Sequence, residues 1–380
     1  MARAPLIALI LVVSWSAFAA SPDDPLPIRG QLPFKLLFLE PAPAAADIEP
    51  YLEARFSLHA TYENTLVASD ALVNEFDRIG MATYNGQVTL PILESIASGQ
   101  PSGTAYILDK KSLQTVLDAH VGVARRLELG IEVPFLSHGR GFLDGPIDSF
   151  HDRFHLPDGG RPGFAHDEFR AGYVGDGQTV YLDEPPGGFR VGDIAVSATG
   201  VLLRPRARIP AVTAALSVKL PTGDYRDLTG SGSTDYGLAV RLTRKWRRFT
   251  LHLGSAFNRV GDWRLAPGLP LHTTRDLYGS IAFAARPRMH LIGQAIRTSG
   301  PFPFRPGNDL GKVAMEMSVG FRYRLPGGLD LEWAVIENLE PYYNTPDIGS
   351  FLGIRYRAAP KGARPGPTPG AFQAKPLKNR

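Results

Sequence analysis

The chain has 380 residues, 44% of them hydrophobic, no cysteine and a formal charge of +4. That length holds one large barrel or two modest domains. The lack of cysteine excludes disulfides, thiol catalysis and thiolate metal sites, and no segment of the mature chain offers the roughly 18 consecutive apolar residues of a membrane helix. Lys361, Arg364, Lys375, Lys378 and Arg380 near the C-terminus and Arg3 near the start account for more than the whole excess, so the body between carries about −2 and nucleic acid is not the implied partner.

The chain opens with Arg3, an apolar stretch from Pro5 to Val13, and the small-x-small run Ala17-Phe18-Ala19. Together these read as a secretory signal peptide over 1–19. Residues 20–51 contain the apolar run Leu32-Pro33-Phe34-Lys35-Leu36-Leu37-Phe38-Leu39. This segment either plugs a lumen or lies on the membrane surface, and the sequence leaves both open.

From residue 52 to 357 the pattern is that of an all-β, antiparallel transmembrane barrel. Strands are expected at 52–64, 112–124, 127–137, 191–204, 210–221, 234–245, 248–259, 275–286, 289–299, 312–324, 328–338 and 349–357. The clearest is Val313 to Tyr323, with Val313, Met315, Met317, Val319, Phe321 and Tyr323 on one face and Ala314, Glu316, Ser318, Gly320 and Arg322 on the other. Strict alternation over this length marks a strand with one apolar and one polar face, long enough to cross a bilayer at a tilt. Twelve strands is an even number, and very short connections alternate with long ones, as short periplasmic turns and long outer loops require. Along 249–257 the set Phe249, Leu251, Leu253 and Phe257 is expected to face lipid, and Thr250, His252, Gly254 and Ala256 the interior. His252, Glu316, Arg322, Arg324, Asp330 and Glu332 are expected to line the lumen, where mixed charges are tolerated only if wetted or paired. Trp246, Tyr278, Tyr323, Trp333 and Tyr356 are expected in the aromatic girdles.

The densest chemistry lies in the second long loop, in Phe142, Asp144, Asp148, Phe150, His151, Phe154, His155 and Arg161. Helical spacing from Ile147 places Asp148, His151, Asp152 and His155 along one side. Imidazole and carboxylate so placed suit a divalent metal, but the spacing is too common by chance to assign one, and no cofactor is expected. Ser149, His151 and Asp152 are consecutive or nearly so, which does not set up a triad; no catalytic residue is assigned and the chain is not read as an enzyme.

The run "FLDGPIDSFHDRFHLPDGGRP" after "LELGIEVPFLSHGRG", with "PIRGQLPFKLLFLEPAPAAA" and "GDIAVSATGVLL", resembles the uncharacterised bacterial family known as domain of unknown function 3187. Separately, "KLPTGDYRDLTGSGSTDYGLAVRLTRKW" is similar to a pattern in outer-membrane barrels associated with phenol degradation. These resemblances imply an outer-membrane-type barrel of undetermined role and carry over no catalytic residue. The tail 358–380 is basic and Pro-rich, and is expected to be disordered because it has too little apolar surface to offset ordering entropy. It also departs from barrels that end on an aromatic residue, since Tyr356 is followed by further chain.

The function expected from these features is a passive channel or uptake barrel for small solutes, hydrophobic ones included. The alternative is a structural barrel contacting lipopolysaccharide or other envelope partners, and a lipid-modifying barrel enzyme ranks behind both. Expected partners are outer-membrane lipid, a small solute and, during biogenesis, the barrel-assembly machinery, with no nucleic acid. The expected location is the outer membrane, and the oligomeric state is not legible.

Overall fold

A computed structural model describes residues 15–18, 22–32, 34–79, 87–141, 145, 149, 153, 164–206, 209–303, 309–339, 346 and 348–360. Twelve strands form the barrel: β1 Ala54–Ala68, β2 Ala105–Ala124, β3 Leu127–Gly139, β4 Ala195–Leu203, β5 Ala211–Lys219, β6 Asp235–Trp246, β7 Phe249–Arg259, β8 Thr274–Arg286, β9 Met289–Ser299, β10 Val313–Arg324, β11 Leu329–Asn338 and β12 Ile348–Pro360. Each pairs antiparallel with its neighbour in sequence, and β12 closes on β1 from Ile348↔Asn64 to Ala358↔Ala54. Closure leaves no unpaired barrel edge, which a hydrocarbon surround demands.

The alternation read in the sequence is the barrel's inside-outside pattern. Leu216, Leu238, Leu253, Phe257, Ile281, Val319, Val335 and Leu352 are exposed on the outer face, while Thr213, Ala239, His252, Ala256, Ala282, Ser318, Ala334 and Phe351 are buried inside. Among the described residues no helix is long and apolar enough to cross a membrane.

Strands β1 and β2 extend beyond the expected 52–64 and 112–124. Their hairpin continues from Thr65↔Lys110 to Ala68↔Ile107, and Ala105–Asp109 also pairs with Arg170–Gly175, itself a hairpin partner of Gln178–Leu182. Against this extension pack α1, Asp70–Ile79, and α2, Leu90–Gly99, through Leu72, Phe76, Leu93 and Ala97. Both faces of residues 105–110 are buried here, which erases the two-residue period that marks a half-buried strand. At the other terminus β12 runs to Pro360, past the expected barrel limit of 357, and Trp15–Phe18 pairs with Arg357–Pro360. The twelve-stranded ring closes without that added strand.

Candidate functional site: a charged lumen and its resident segment

The six residues read as lumen-facing share one interior. Arg322 of β10 lies directly across from Glu332 of β11, and Arg324 from Asp330. Register therefore makes the pairs: Arg322 Nε to Glu332 Oε1 at 2.6 Å and Arg324 Nε to Asp330 Oδ1 at 2.8 Å. Arg355 of β12 reaches the same Asp330 at 3.3 Å. Asp330, Arg322, Glu332, Glu316 and His252 are all buried. Opposite charges facing each other across strands offset the desolvation that burial imposes on each.

Residues 22–50 run inside this wall. The segment starts near the short turns, where Arg322 donates to the carbonyls of Pro22, Asp24 and Pro25 at 3.1, 2.6 and 3.1 Å. Asp24 pairs with Arg355 at 2.7 Å, and Asp23 accepts from Lys245 and pairs with His290. His252 Nε2 donates to the Asp23 carbonyl at 2.7 Å. Farther along, Leu26 and Ile28 pack on Ile292, Ile336 and Phe351. The Gln31 amide then donates to Glu316 at 3.0 Å, and Lys35 to Asp276 at 3.0 Å and Thr298 at 2.6 Å. A 3₁₀ turn at Lys35–Leu37 reverses the chain at the long-loop end, where Lys219 donates to the Leu37 carbonyl at 3.0 Å and the Leu39 amide to Asp235 at 2.8 Å. The returning limb donates from Ala44 to Tyr278 Oη at 3.2 Å, from Ala46 to Thr243 at 2.7 Å and from Glu49 to Glu128 at 2.7 Å. The segment is thus a hairpin-shaped insert with both ends at the short-turn end of the barrel and its tip at the other.

Its composition explains why it does not join the sheet. Prolines at 22, 25, 27, 33, 41, 43 and 50 remove backbone donors at intervals too close for a ladder. The amides of Gln31, Leu39, Ala44, Ala46 and Glu49 bond to wall side chains instead, and those of Gly30 and Lys35–Phe38 bond within the insert. The wall leaves room for them by using small residues: at Gly237 of β6 an added Cβ would lie 2.9 Å from the Leu39 side chain.

The tip is sealed by apolar packing. Phe34, Leu37 and Phe38 cluster with Trp263, Leu228, Phe302 and Leu310 from the long loops and with Tyr106, Phe169 and Tyr173 from the hairpin extension. The Phe34 ring lies 5.2 Å from Trp263 and 5.6 Å from Phe302. The loop after β5 positions this cap through Asp193, whose carboxylate accepts from Lys219 and from the amides of Gly223 and Ser231 at 2.5, 2.8 and 3.1 Å. An added Cβ at Gly230 would stand 2.3 Å from that carboxylate. The Gly-rich run "LTGSGSTD" is thereby accounted for as a fitted collar around a buried Lys–Asp pair. At the short-turn end the two limbs and β4–β7 leave a cavity of about 940 Å³, lined in part by Ala45, Ile48, Val201, Leu203 and Ala211.

One sequence expectation is corrected. Tyr278 is not a girdle aromatic: it has the same parity on β8 as the buried Asp276 and Ser280, and its hydroxyl bonds to Ala44 inside the barrel. Gly254 lies opposite it on β7, and a Cβ there would come within 2.1 Å of the ring, so the glycine gives the tyrosine its place. Trp246, Tyr323 and Trp333 do face outward.

Asp148, His151, Asp152 and His155, together with Phe142, Asp144, Phe150, Phe154 and Arg161, lie outside the described residues. Ser149, within the same stretch, donates to the Gly145 carbonyl at 2.9 Å, a helical i−4 contact. Among the described residues no group of three or more His, Asp or Glu is placed to hold a metal ion. Sequence reasoning missed Asp23, Asp24, Lys35, Asp235 and Asp276 as members of the interior. Their spacing signals nothing by itself; only the strand parity of Asp235 and Asp276 marks them as inward.

The model of the family described as protein of unknown function (DUF3187) matches residues 16–358. No curated protein sequence matches the chain. Among solved structures, the COG4313 outer membrane channel from Pseudomonas putida F1 superposes with a TM-score of 0.50 at 13% identity, over 84% of this chain and 99% of that one. The P. putida toluene transporter TodX gives a TM-score of 0.35 at 9% identity, over 82% of this chain and 90% of that one. A Pseudomonas aeruginosa FadL homologue gives 0.32 at 9% identity, over 80% and 89%. The likeness to the first of these is one of fold, that of an outer-membrane barrel.

Proposed function

The chain belongs to the DUF3187 family, and from that premise we propose that it is a passive uptake barrel of the outer membrane for small solutes, with residues 22–50 as the movable obstruction in the path. The observation that carries this reading is how the insert is held. Its contacts with the wall are separate side-chain bonds, ion pairs and apolar contacts, and among the described residues no strand ladder joins 22–50 to the wall; ladder-like contact begins at the bridge Tyr51↔Gly122. The wall keeps pairs of its own, Arg322–Glu332, Arg324–Asp330 and Lys219–Asp193, so part of its charge stays compensated when the insert withdraws, while Asp276, which pairs with Lys35, passes to water. A wet, charge-paired wall of this kind is what a solute path needs. The apolar cap at the long-loop end favours solutes with hydrophobic parts. Secretion through a cleaved leader at 1–19, outer-membrane residence and folding by the barrel-assembly machinery complete the reading.

Planar-bilayer recording tests it. The wild-type protein is expected to conduct in brief, infrequent openings. Glu316→Gln combined with Asp235→Asn, which weakens the acceptors of the Gln31 and Leu39 amides, is expected to raise the open fraction at least about tenfold, since a hydrogen bond to a charged group contributes about 1.5–3 kcal/mol. Silence from both proteins, each showing the heat-dependent gel shift of a folded barrel, would remove the channel reading.

A further inference from the structure

The short turns share a chemistry, and Arg125, Arg126 and Arg204 of them also border the cavity at this end of the lumen. Arg125 and Arg126 form the turn after β2, and Arg204 and Arg206 sit in the turn after β4. Arg247 and Arg248 form the turn after β6, and Arg286 and Arg288 flank Pro287 in the turn after β8. All eight are exposed, and none has an ion pair among the described residues. The stretches 123–127, 200–212, 244–251 and 283–291 contain no Asp or Glu. Among the carboxylates near this end, Asp24 pairs with Arg355 and Glu49 with Arg357, and Asp47 lines the same cavity as Arg125, Arg126 and Arg204.

The ring also adjoins the lipid-facing band. Leu127 follows Arg126, and Trp246 and Phe249 bracket Arg247 and Arg248, all three apolar residues being exposed. The Arg247 guanidinium lies 6.0 Å over the Trp246 ring, an arrangement suited to the boundary where acyl chains give way to headgroups. Every cation in the set is an arginine, whose planar fork takes phosphate oxygens two at a time.

The geometry points to this ring as a binding surface for the phosphates of anionic phospholipid in the periplasmic leaflet. It rests on the reading that the short turns face the periplasm. An acidic periplasmic protein would also be attracted by the charge, but continuity with the apolar band and the flanking Trp246 place the guanidiniums at headgroup depth.

The full chain in a neutral detergent is titrated with phosphatidylglycerol and, separately, phosphatidylcholine, while bound lipid is counted by native mass spectrometry and the barrel's melting is followed by gel shift. Phosphatidylglycerol is expected to bind and to raise the melting temperature more than phosphatidylcholine. The variant with Arg125→Gln, Arg126→Gln, Arg247→Gln and Arg248→Gln should bind phosphatidylglycerol at least about tenfold more weakly, since each basic residue near an anionic surface contributes on the order of fivefold. The corresponding four Arg→Lys changes keep the charge but lose the fork, and should bind more weakly than the wild type and more tightly than the Gln variant. Equal response of the wild type to both lipids, or unchanged binding by the folded Gln variant, overturns the proposal and leaves the ring to an acidic protein. Orientation is read separately: the chain has no cysteine of its own, so Pro326→Cys in the fifth short turn should react with an impermeant maleimide only after the outer membrane is permeabilised. Labelling in intact cells would overturn the orientation itself, whatever the lipid result.

Discussion

Arg322 shows how much a single interior residue holds. Its side chain is fully buried, paired with Glu332 and bonded to three carbonyls of the insert. Arg322→Gln leaves Glu332 without its nearest cation and the carbonyls with a poorer donor. Breaking a buried pair on one side typically costs about 3–5 kcal/mol. A clear drop in the temperature of the gel-shift transition is expected, with Arg322→Gln/Glu332→Gln recovering part of it; an unchanged transition in the single variant would show that water already compensates these charges. The charged pair was legible from alternation, because Arg322, Arg324, Asp330 and Glu332 fall on the polar face of strands joined by a tight turn. The carbonyls that Arg322 also serves were not, since backbone oxygens of an irregular segment leave no trace in residue types. Tyr278 teaches the complementary point: side-chain type suggested the interface, but parity with Asp276 and the space over Gly254 decide where it lies.

At the scale of elements, the strands with one lipid-facing side were the readable ones, because water or charge on one face and lipid on the other enforce a two-residue period. The insert and the outer hairpin were not readable. The first is a proline-interrupted coil with no period, and the second is buried on both faces. Phe34 links the two through the long loops, since it contacts Trp263 and Phe302 from the tip of the insert and Phe302 in turn stacks on Tyr173 of the outer hairpin. Removing most of a buried phenylalanine costs up to about 3–5 kcal/mol where the site cannot collapse. Phe34→Ala is therefore expected to speed amide exchange in the insert and in the loops around Trp263 and Phe302, leaving β6–β12 protected. Exchange that rises equally in those strands would mean that the cap and the barrel unfold as one unit, and the insert would then not move independently.

For the whole molecule, the question is whether the insert is the barrel's core or its occupant. A soluble domain that lost 29 residues packed through its centre would unfold, because the apolar area they bury drives folding. Here the ring closes through main-chain ladders along all twelve strands, from β1–β2 round to β12–β1, and the outer face gains its stability from lipid. The interior is largely polar, and many of its charges are paired within the wall. Deleting 22–50 should therefore leave a barrel that still shows the heat-dependent gel shift, at a lower transition temperature because Leu26, Ile28 and Phe34 no longer cover Ile292, Ile336, Phe351 and Trp263. Water would enter the vacated lumen and hydrate Glu316, Asp276 and Lys219. Conductance should become large and steady, in place of the brief openings expected of the full chain. A deletion that folds yet does not conduct would locate the barrier in the long loops. One that fails to fold while the Phe34→Ala protein folds would make the insert part of the structural core, and the barrel a closed scaffold whose function lies on its surfaces.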